Sequence, residues 1–342
     1  MTGGMALMAR IHLGRAISGP LLAVVFAAGL TTSIPQAAAA GAASATAPTR
    51  SARAVASPTP AAIRPVPAPP PPEVTQPLPP PRVYLFRGAL GPFFSTGMDR
   101  LAEKIEKAGF WANVYEFTLC DLIALQVAKN YRQEGGPIVL IGHSMGGLCG
   151  VRIAITLQEQ NIPVALVVTV DPAHATKSVP PNVQRFINLF LSDNILGGGD
   201  VKPEPGFRGH YASFDMKDHD EVTHINIDKM EDVHAQLVAM ISQLSQTSAT
   251  VEADPVQLRY LVPPKASVEL WDSGVPVPVR PGETLDQIAA NYRVPLWALQ
   301  QSNRGLATMP IVPGQRIILP RHLLPQAANP PAPQMPETSA RR

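Results

Sequence analysis

Residues Pro137–Gly150 read PIVLIGHSMGGLCG. Pro137 to Ile141 is a short apolar run with β-branched Ile138 and Val139, and it stops at Gly142. Such a run predicts a buried strand of a parallel sheet. A sharp turn, Gly142-His143-Ser144-Met145-Gly146, follows at once, and Leu148, Val151, Ala154 and Ile155 then recur at helical spacing. A serine on a strand-to-helix turn is aimed out of the sheet. It sits at a helix N-terminus, where free N–H groups and the dipole favour a developing oxyanion. The glycines two before and two after it permit the tight turn. The competing reading, a glycine-rich helix start with an incidental serine, does not account for the strand and helix on either side.

Outward from this turn the same alternation repeats. Val83–Phe86 predicts a buried strand, and Met98, Leu101 and Ile105 mark one helix face closed by Gly109. Trp111–Phe117 predicts the next strand. Thr118 is placed to cap a helix carrying Leu122, Leu125, Val127 and Tyr131, which ends at Gly135-Gly136. Beyond the serine helix, Val164–Val170 is a near-continuous apolar strand ending in Asp171, and Val183–Leu191 predicts another. A last helix spans about 228–246. Asp228 and Glu231 form its capping-box-like start, and Val233, Leu237, Met240, Ile241 and Leu244 form its buried face. Strands alternating with helices predict an α/β fold with a doubly wound parallel sheet.

The ends of the chain differ in kind. Arg10 and Arg15 precede the apolar stretch Ala16–Leu30, followed by Ala38-Ala39-Ala40. A charged region, an apolar region and small residues predict a secretory signal peptide over 1–40, with an uncleaved anchor as the alternative. The stretch is short for a membrane span and broken by Ser18-Gly19-Pro20. Residues 41–82 are rich in Ala, Pro, Ser and Thr and predict an extended tether, and 321–342 predict a disordered tail. Much of the chain's 38 prolines falls in such segments, and the net charge is +2. No basic stripe interleaved with aromatics marks a nucleic-acid surface.

Over residues 83–246 the chain resembles a compact α/β-hydrolase of the lipase/esterase type. It begins at what would be the family's third strand. The resemblance makes Gly142-x-Ser144-x-Gly146 the nucleophile elbow. It implies an oxyanion hole from the amides of Met145, just after the serine, and Ala89, on the loop after the first strand. That loop opens with Arg87-Gly88 where the family usually has His-Gly. A serine needs a histidine to take its proton and the histidine needs an oriented carboxylate. The family's chain order is Ser, acid, His. His224, on the loop before the last helix, fits the base, while His219 reads as a surface-loop histidine and His234 as structural or surface. Asp171, at a strand end beside the elbow, is the favoured acid, and Asp193 the alternative. No His/Cys/Asp grouping has metal-ligand spacing, so no metal and no cofactor is expected. Cys120 and Cys149 are the only cysteines, which fits either a disulfide or two buried thiols.

The segment from Val277 contains VPVRPGETLDQIAANYRVPLWALQQSN and closes on IVPGQRIILP, ending at Pro320. A turn at Pro281-Gly282-Glu283, two short helices, an Asn and a closing strand give a β-α-α-β order. This closely resembles a LysM domain, with Glu283 in place of the commoner Asp, and the module is expected over 275–320. LysM modules bind N-acetylglucosamine-containing glycans such as peptidoglycan. By position the groove falls to Gly282, Glu283, Thr284 and Leu285 on one side and Ile311, Val312 and Pro313 on the other. Residues 247–274 are left as a connector. The proline-containing stretch from Tyr260 to Pro281 predicts two independent modules. The combined expectation is an exported serine hydrolase of carboxylic esters, localised to the periplasm or cell envelope. Its partners would be wall glycan and an ester substrate, with no nucleic acid and no membrane span after signal cleavage. The alternatives are a wall-binding protein with a non-catalytic hydrolase domain, and a deacylase or acyltransferase of the wall polymer.

Overall fold

The computed structural model describes residues 79–244, 255–306 and 310–321. The expected signal segment, nearly all of the proline-rich tether and the tail beyond Arg321 lie outside the described residues. In chain order the elements are β1 (Arg82–Arg87), α1 (Gly91–Phe94), α2 (Thr96–Lys107), β2 (Trp111–Glu116), α3 (Cys120–Glu134), β3 (Ile138–His143), α4 (Met145–Gln158), β4 (Leu166–Val170), β5 (Arg185–Phe190), β6 (His210–Asp215) and α5 (Glu231–Leu244). They continue with β7 (Leu258–Leu261), β8 (Ser273–Pro278), α6 (Leu285–Tyr292), α7 (Leu296–Ser302) and β9 (Arg316–Arg321). Strands β1 to β7 form one sheet in the order β2-β1-β3-β4-β5-β6-β7, with every pairing parallel.

The alternation of side chains along each strand feeds two cores. Val83, Leu85, Val139 and Ile141 face one side of the sheet, where Met98, Leu101 and Ile105 of α2 and Val233, Leu237 and Ile241 of α5 cover them. Tyr84, Phe86, Ile138 and Leu140 face the other, under Ile123 and Val127 of α3 and Val151 and Ala154 of α4. This is the doubly wound α/β sheet expected of the α/β-hydrolase resemblance.

Some local readings are corrected. The face that α3 buries is Cys120, Ile123, Ala124, Val127 and Ala128, while Leu122 and Leu125 stay exposed. A 3-10 turn, Phe117–Leu119, precedes that helix, so Thr118 does not cap it. Asp228 lies in a separate 3-10 turn before α5. Its Oδ2 accepts from Gly97 N at 2.9 Å, so it caps the first turn of α2 instead. The stretch around His210 is the sixth strand, and the region left as a connector supplies the seventh.

The expectation of two independent modules is also corrected. β8 and β9 pair antiparallel, with α6 and α7 between them in sequence, which is the expected βααβ unit. Its core residues Ile288, Leu299 and Ile317 belong to the same buried cluster as the α2/α5 side of the large sheet. Trp297 of α7 meets Tyr260 of β7 edge-on at 5.6 Å and Trp271 at 5.8 Å. Gln301 donates to Leu261 O at 2.6 Å and accepts from Leu261 N at 2.9 Å, satisfying the edge of β7. Asp272, fully buried, faces Arg185 at the start of β5 and Arg321 at the end of β9, at 3.5 and 3.4 Å. The prolines between Tyr260 and Pro281 therefore shape a packed crossing, not a free hinge.

Candidate active site

β3 is buried at every residue and delivers Ser144 to the carboxyl edge of the sheet. Ser144 has φ 56° and ψ −121°, a conformation rare for a residue with a side chain. A Cβ on Gly146 would lie 2.1 Å from Phe86 O of β1, so only glycine lets α4 start this close to the sheet. Strand, positive-φ serine and helix thus follow one another in the arrangement that a nucleophile elbow requires.

Ser144 Oγ lies 3.1 Å from His224 Nε2, and His224 Nδ1 lies 2.6 Å from Asp171 Oδ2. The three residues come from three separate loops at the carboxyl edge, 27 and 53 positions apart along the chain. A carboxylate oxygen can only accept, so His224 Nδ1 carries a proton and Nε2 is left to accept from the serine hydroxyl. Asp171 is fully buried, and its Oδ1 also accepts from Leu191 N at 3.1 Å and Gly198 N at 2.7 Å. Asn194 Nδ2 donates to Oδ2 at 2.7 Å. These bonds fix the carboxylate's orientation. Asp193, by contrast, is exposed on the loop after β5. The array can transfer the serine proton to an oriented imidazole.

Around the array lie groups that the sequence reading did not single out. His143, one residue before the serine, is buried, with Nε2 2.8 Å from His224 O and Nδ1 2.8 Å from Ser95 Oγ. A carbonyl only accepts, so Nε2 carries the proton, Nδ1 accepts from the Ser95 hydroxyl, and Ser95 Oγ accepts from Gly88 N at 3.0 Å. One chain of hydrogen bonds thus ties the loop after β1 to the loop of His224. Nothing but proximity to the serine in sequence could have flagged His143, and Ser95 carries no sequence signal at all. Arg87 explains the departure at the head of that loop: its guanidinium pairs with Asp99 of α2 and with Glu116 of β2, the latter at 2.7 Å. The bond to Asp99, ahead of the others, raises its pKa further. Gly88 lies against the serine, since a Cβ there would be 2.7 Å from Ser144 Cβ. Ala89 follows it in the chain, and Met145 opens α4, where its N–H has no intrahelical acceptor.

His219 is not a surface histidine: it is 4% exposed, with Nδ1 2.9 Å from Glu221 Oε1. His234 is buried too, with Nε2 2.7 Å from Asp228 O. Cys120 and Cys149 are joined in a disulfide that links the start of α3 to the first turns of α4. Burial holds the pKa of both His143 and His234 below the ordinary histidine value. The folded chain then binds fewer protons at these rings than the unfolded chain, and stability is lost as pH falls below about 6.5. We expect the urea midpoint to drop between about pH 7 and about pH 5. A midpoint that is flat or rises on acidification would contradict this.

In the βααβ unit, Thr284 caps α6: its Oγ1 accepts from Gln287 N at 3.3 Å and its N–H donates to Gln287 Oε1 at 3.0 Å. Glu283 Oε2 accepts from Arg280 N at 2.7 Å. Leu285 and Ile311 pack against the core, while Gly282, Val312 and Pro313 are exposed. The loop opening α6 and the loop before β9 are brought together, since Val279 N donates to Gln315 O and Gly314 N donates to Val279 O, both at 2.8 Å.

A protein-family model described as the LysM domain matches residues 278–320. No curated protein matches this chain. A solved structure from Xanthomonas campestris pv. campestris, assigned to the alpha/beta superfamily of hydrolases, is similar at 17% identity with a TM-score of 0.23. That likeness covers 33% of this chain and 73% of the other. The fold rests on the sheet order and the elbow. Residues 278–320 are thus a LysM domain, packed against a seven-stranded parallel α/β sheet.

Proposed function

We propose that this protein is an exported serine hydrolase of carboxylic esters, held on cell-wall glycan by its LysM domain. The observation that carries this reading is the continuous bonding from Ser144 Oγ through the His224 ring to Asp171, at 3.1 and 2.6 Å. In the proposed reaction Ser144 Oγ attacks the acyl carbon as His224 Nε2 takes its proton. Asp171 orients the imidazole and stabilises the imidazolium. The amides of Met145 and Ala89 face the oxyanion of the tetrahedral intermediate. His224 returns the proton to the departing alcohol, and water then repeats the sequence on the acyl-enzyme.

Export is supported by the N-terminal charge and hydropathy pattern and by the disulfide, which suits an oxidising compartment. LysM domains as a family are associated with the cell wall or extracellular space. No helix among the described residues is long and apolar enough to cross a membrane. Because Glu283 and Thr284 use their side chains within the loop, glycan would meet the backbone of 282–285 and 311–313 and the exposed Val312 and Pro313. Such contacts are hydrogen bonds and apolar packing, so pull-down by insoluble peptidoglycan should survive high salt. Val312→Asp should weaken it. Stripping by salt, or unchanged binding by Val312→Asp, would contradict the groove.

The acid assignment has its own test. Asp171→Asn should lower kcat by about a thousandfold or more, because it permits the wrong histidine tautomer. Asp193→Asn should leave kcat within about twofold, as for a surface change that touches no catalytic group. The reverse pattern in steady-state kinetics would reassign the acid.

A further inference from the structure

Three segments must keep one arrangement for a serine to be acylated here: the turn of Ser144, the loop of His224, and the loop after β1 that carries Ala89. One buried imidazole is bonded toward all three. His143 directly precedes Ser144 at the end of β3 and is 1% exposed. Its Nε2 donates to the backbone oxygen of His224 at 2.8 Å, so the main chain of that residue is anchored to the strand that carries the serine. Its Nδ1 accepts from Ser95 Oγ at 2.8 Å, and that oxygen accepts from Gly88 N at 3.0 Å, one residue before Ala89. The rings of His143 and His224 lie 4.8 Å apart. The neutral ring with its proton on Nε2 serves both bonds, and burial, ahead of other causes, favours that neutral ring. A histidine that only filled the core would need partners for its two nitrogens, and any nearby groups would do. Both partners here lead instead to segments that the Ser144–His224–Asp171 array depends on.

We propose that His143 is a positioning residue for the hydrolysis, fixing the His224 loop and the Gly88–Ala89 loop in one arrangement relative to Ser144. It touches neither the substrate nor the reacting atoms. This rests on the reading of Ser144 as nucleophile and His224 as its base. In that reaction the imidazole receives the proton of Ser144 Oγ, 3.1 Å away, while the amides of Ala89 and Met145 meet the charge that grows on the acyl oxygen. Misplacing such a group by about 1 Å costs about a hundredfold in rate. Because these interactions tighten in the transition state, their loss lowers kcat and leaves KM nearly unmoved. Ser95 acts through His143 and Gly88, and so belongs to the same device.

The test measures steady-state hydrolysis of p-nitrophenyl butyrate by His143→Phe, His143→Gln and Ser95→Ala, with thermal unfolding of each chain. His143→Phe breaks both bonds and is expected to lower kcat by about tenfold to a hundredfold, with KM within about twofold. His143→Gln keeps an amide donor at the place of Nε2 and should recover part of that loss. Ser95→Ala cuts only the link to Gly88 and should lower kcat by a smaller factor. The double variant of His143→Phe and Ser95→Ala should lose less than the product of the two single losses, since both break one chain of bonds. A role in the core alone would lower the melting temperature and leave kcat unchanged. That result in folded His143→Phe, or in Ser95→Ala if the first chain does not fold, would overturn the proposal. Proton NMR needs no turnover. The His224 Nδ1 proton, shared with Asp171 across 2.6 Å, should give a far-downfield signal that is lost in His143→Phe and retained in His143→Gln. If no ester is cleaved, the hydrolase reading fails, yet loss of that signal would still support the positioning role, and an unchanged signal would still overturn it.

Discussion

Ser144→Ala is expected to lower turnover of short p-nitrophenyl esters by about a thousandfold or more, and His224→Ala by a comparable factor. The two should fall together because neither residue works without the other. The serine hydroxyl is a weak nucleophile unless the imidazole 3.1 Å away takes its proton, and the imidazole has no proton to take once the serine is gone. The double variant should therefore be little worse than either single one. Folding is not at stake in the serine change, since Ser144 Oγ bonds only to His224 among the hydrogen bonds of the site. Thermal unfolding should shift little, which separates lost chemistry from lost structure. Ester hydrolysis that persists in folded Ser144→Ala would place the reaction elsewhere.

Deleting residues 275–342 should destabilise the whole α/β sheet and remove activity on small soluble esters as well as wall binding. The deletion takes away α7, and with it Trp297 from the rings of Tyr260 and Trp271. Those two rings are 3% and 0% exposed in the intact chain. Each large apolar side chain returned to water costs about 1.5–3 kcal/mol. The deletion also removes Arg321 from the fully buried Asp272, and stripping a partner from a buried ion pair costs about 3–5 kcal/mol. Arg185 remains as the second cation, which discounts that figure. Even so, the loss is comparable with the about 5–15 kcal/mol that holds a typical domain together. Urea unfolding of the intact chain, followed by near-UV circular dichroism, should show one transition for both units. Two separable transitions, or a truncated chain that keeps its melting temperature and ester activity, would show that the LysM domain is only tethered.

The elements legible in the sequence were those whose signal is local. The elbow strand, the serine helix and the LysM pattern each sit in a continuous stretch with its own periodicity and turn residues. His224 and Asp171 were singled out through the resembled family's chain order and through their places at a loop before a helix and at a strand end, and the fold brings both within reach of Ser144. What stayed hidden depends on partners distant in the chain. β6, HYASFD, and β7, LRYL, are short and carry polar residues, and they become strands because β5 and β6 offer them an edge. Leu122 and Leu125 are as apolar as Ile123 and Val127, and only the position of the sheet decides which pair is buried. Asp228 has the spacing of a cap for its own helix, but Gly97 of another helix reaches it first. The roles of His143 and Ser95 are three-dimensional throughout, since each is defined by an atom on another loop.

The most direct test of the central claim is labelling by a fluorophosphonate probe, read by mass spectrometry of the modified peptide. The probe reacts with a serine whose proton is being withdrawn and whose oxyanion is stabilised, and it needs no knowledge of the natural ester. The intact chain should be labelled at Ser144, with labelling lost in His224→Ala. An unlabelled folded chain, or phosphonylation at a different residue, would contradict the account.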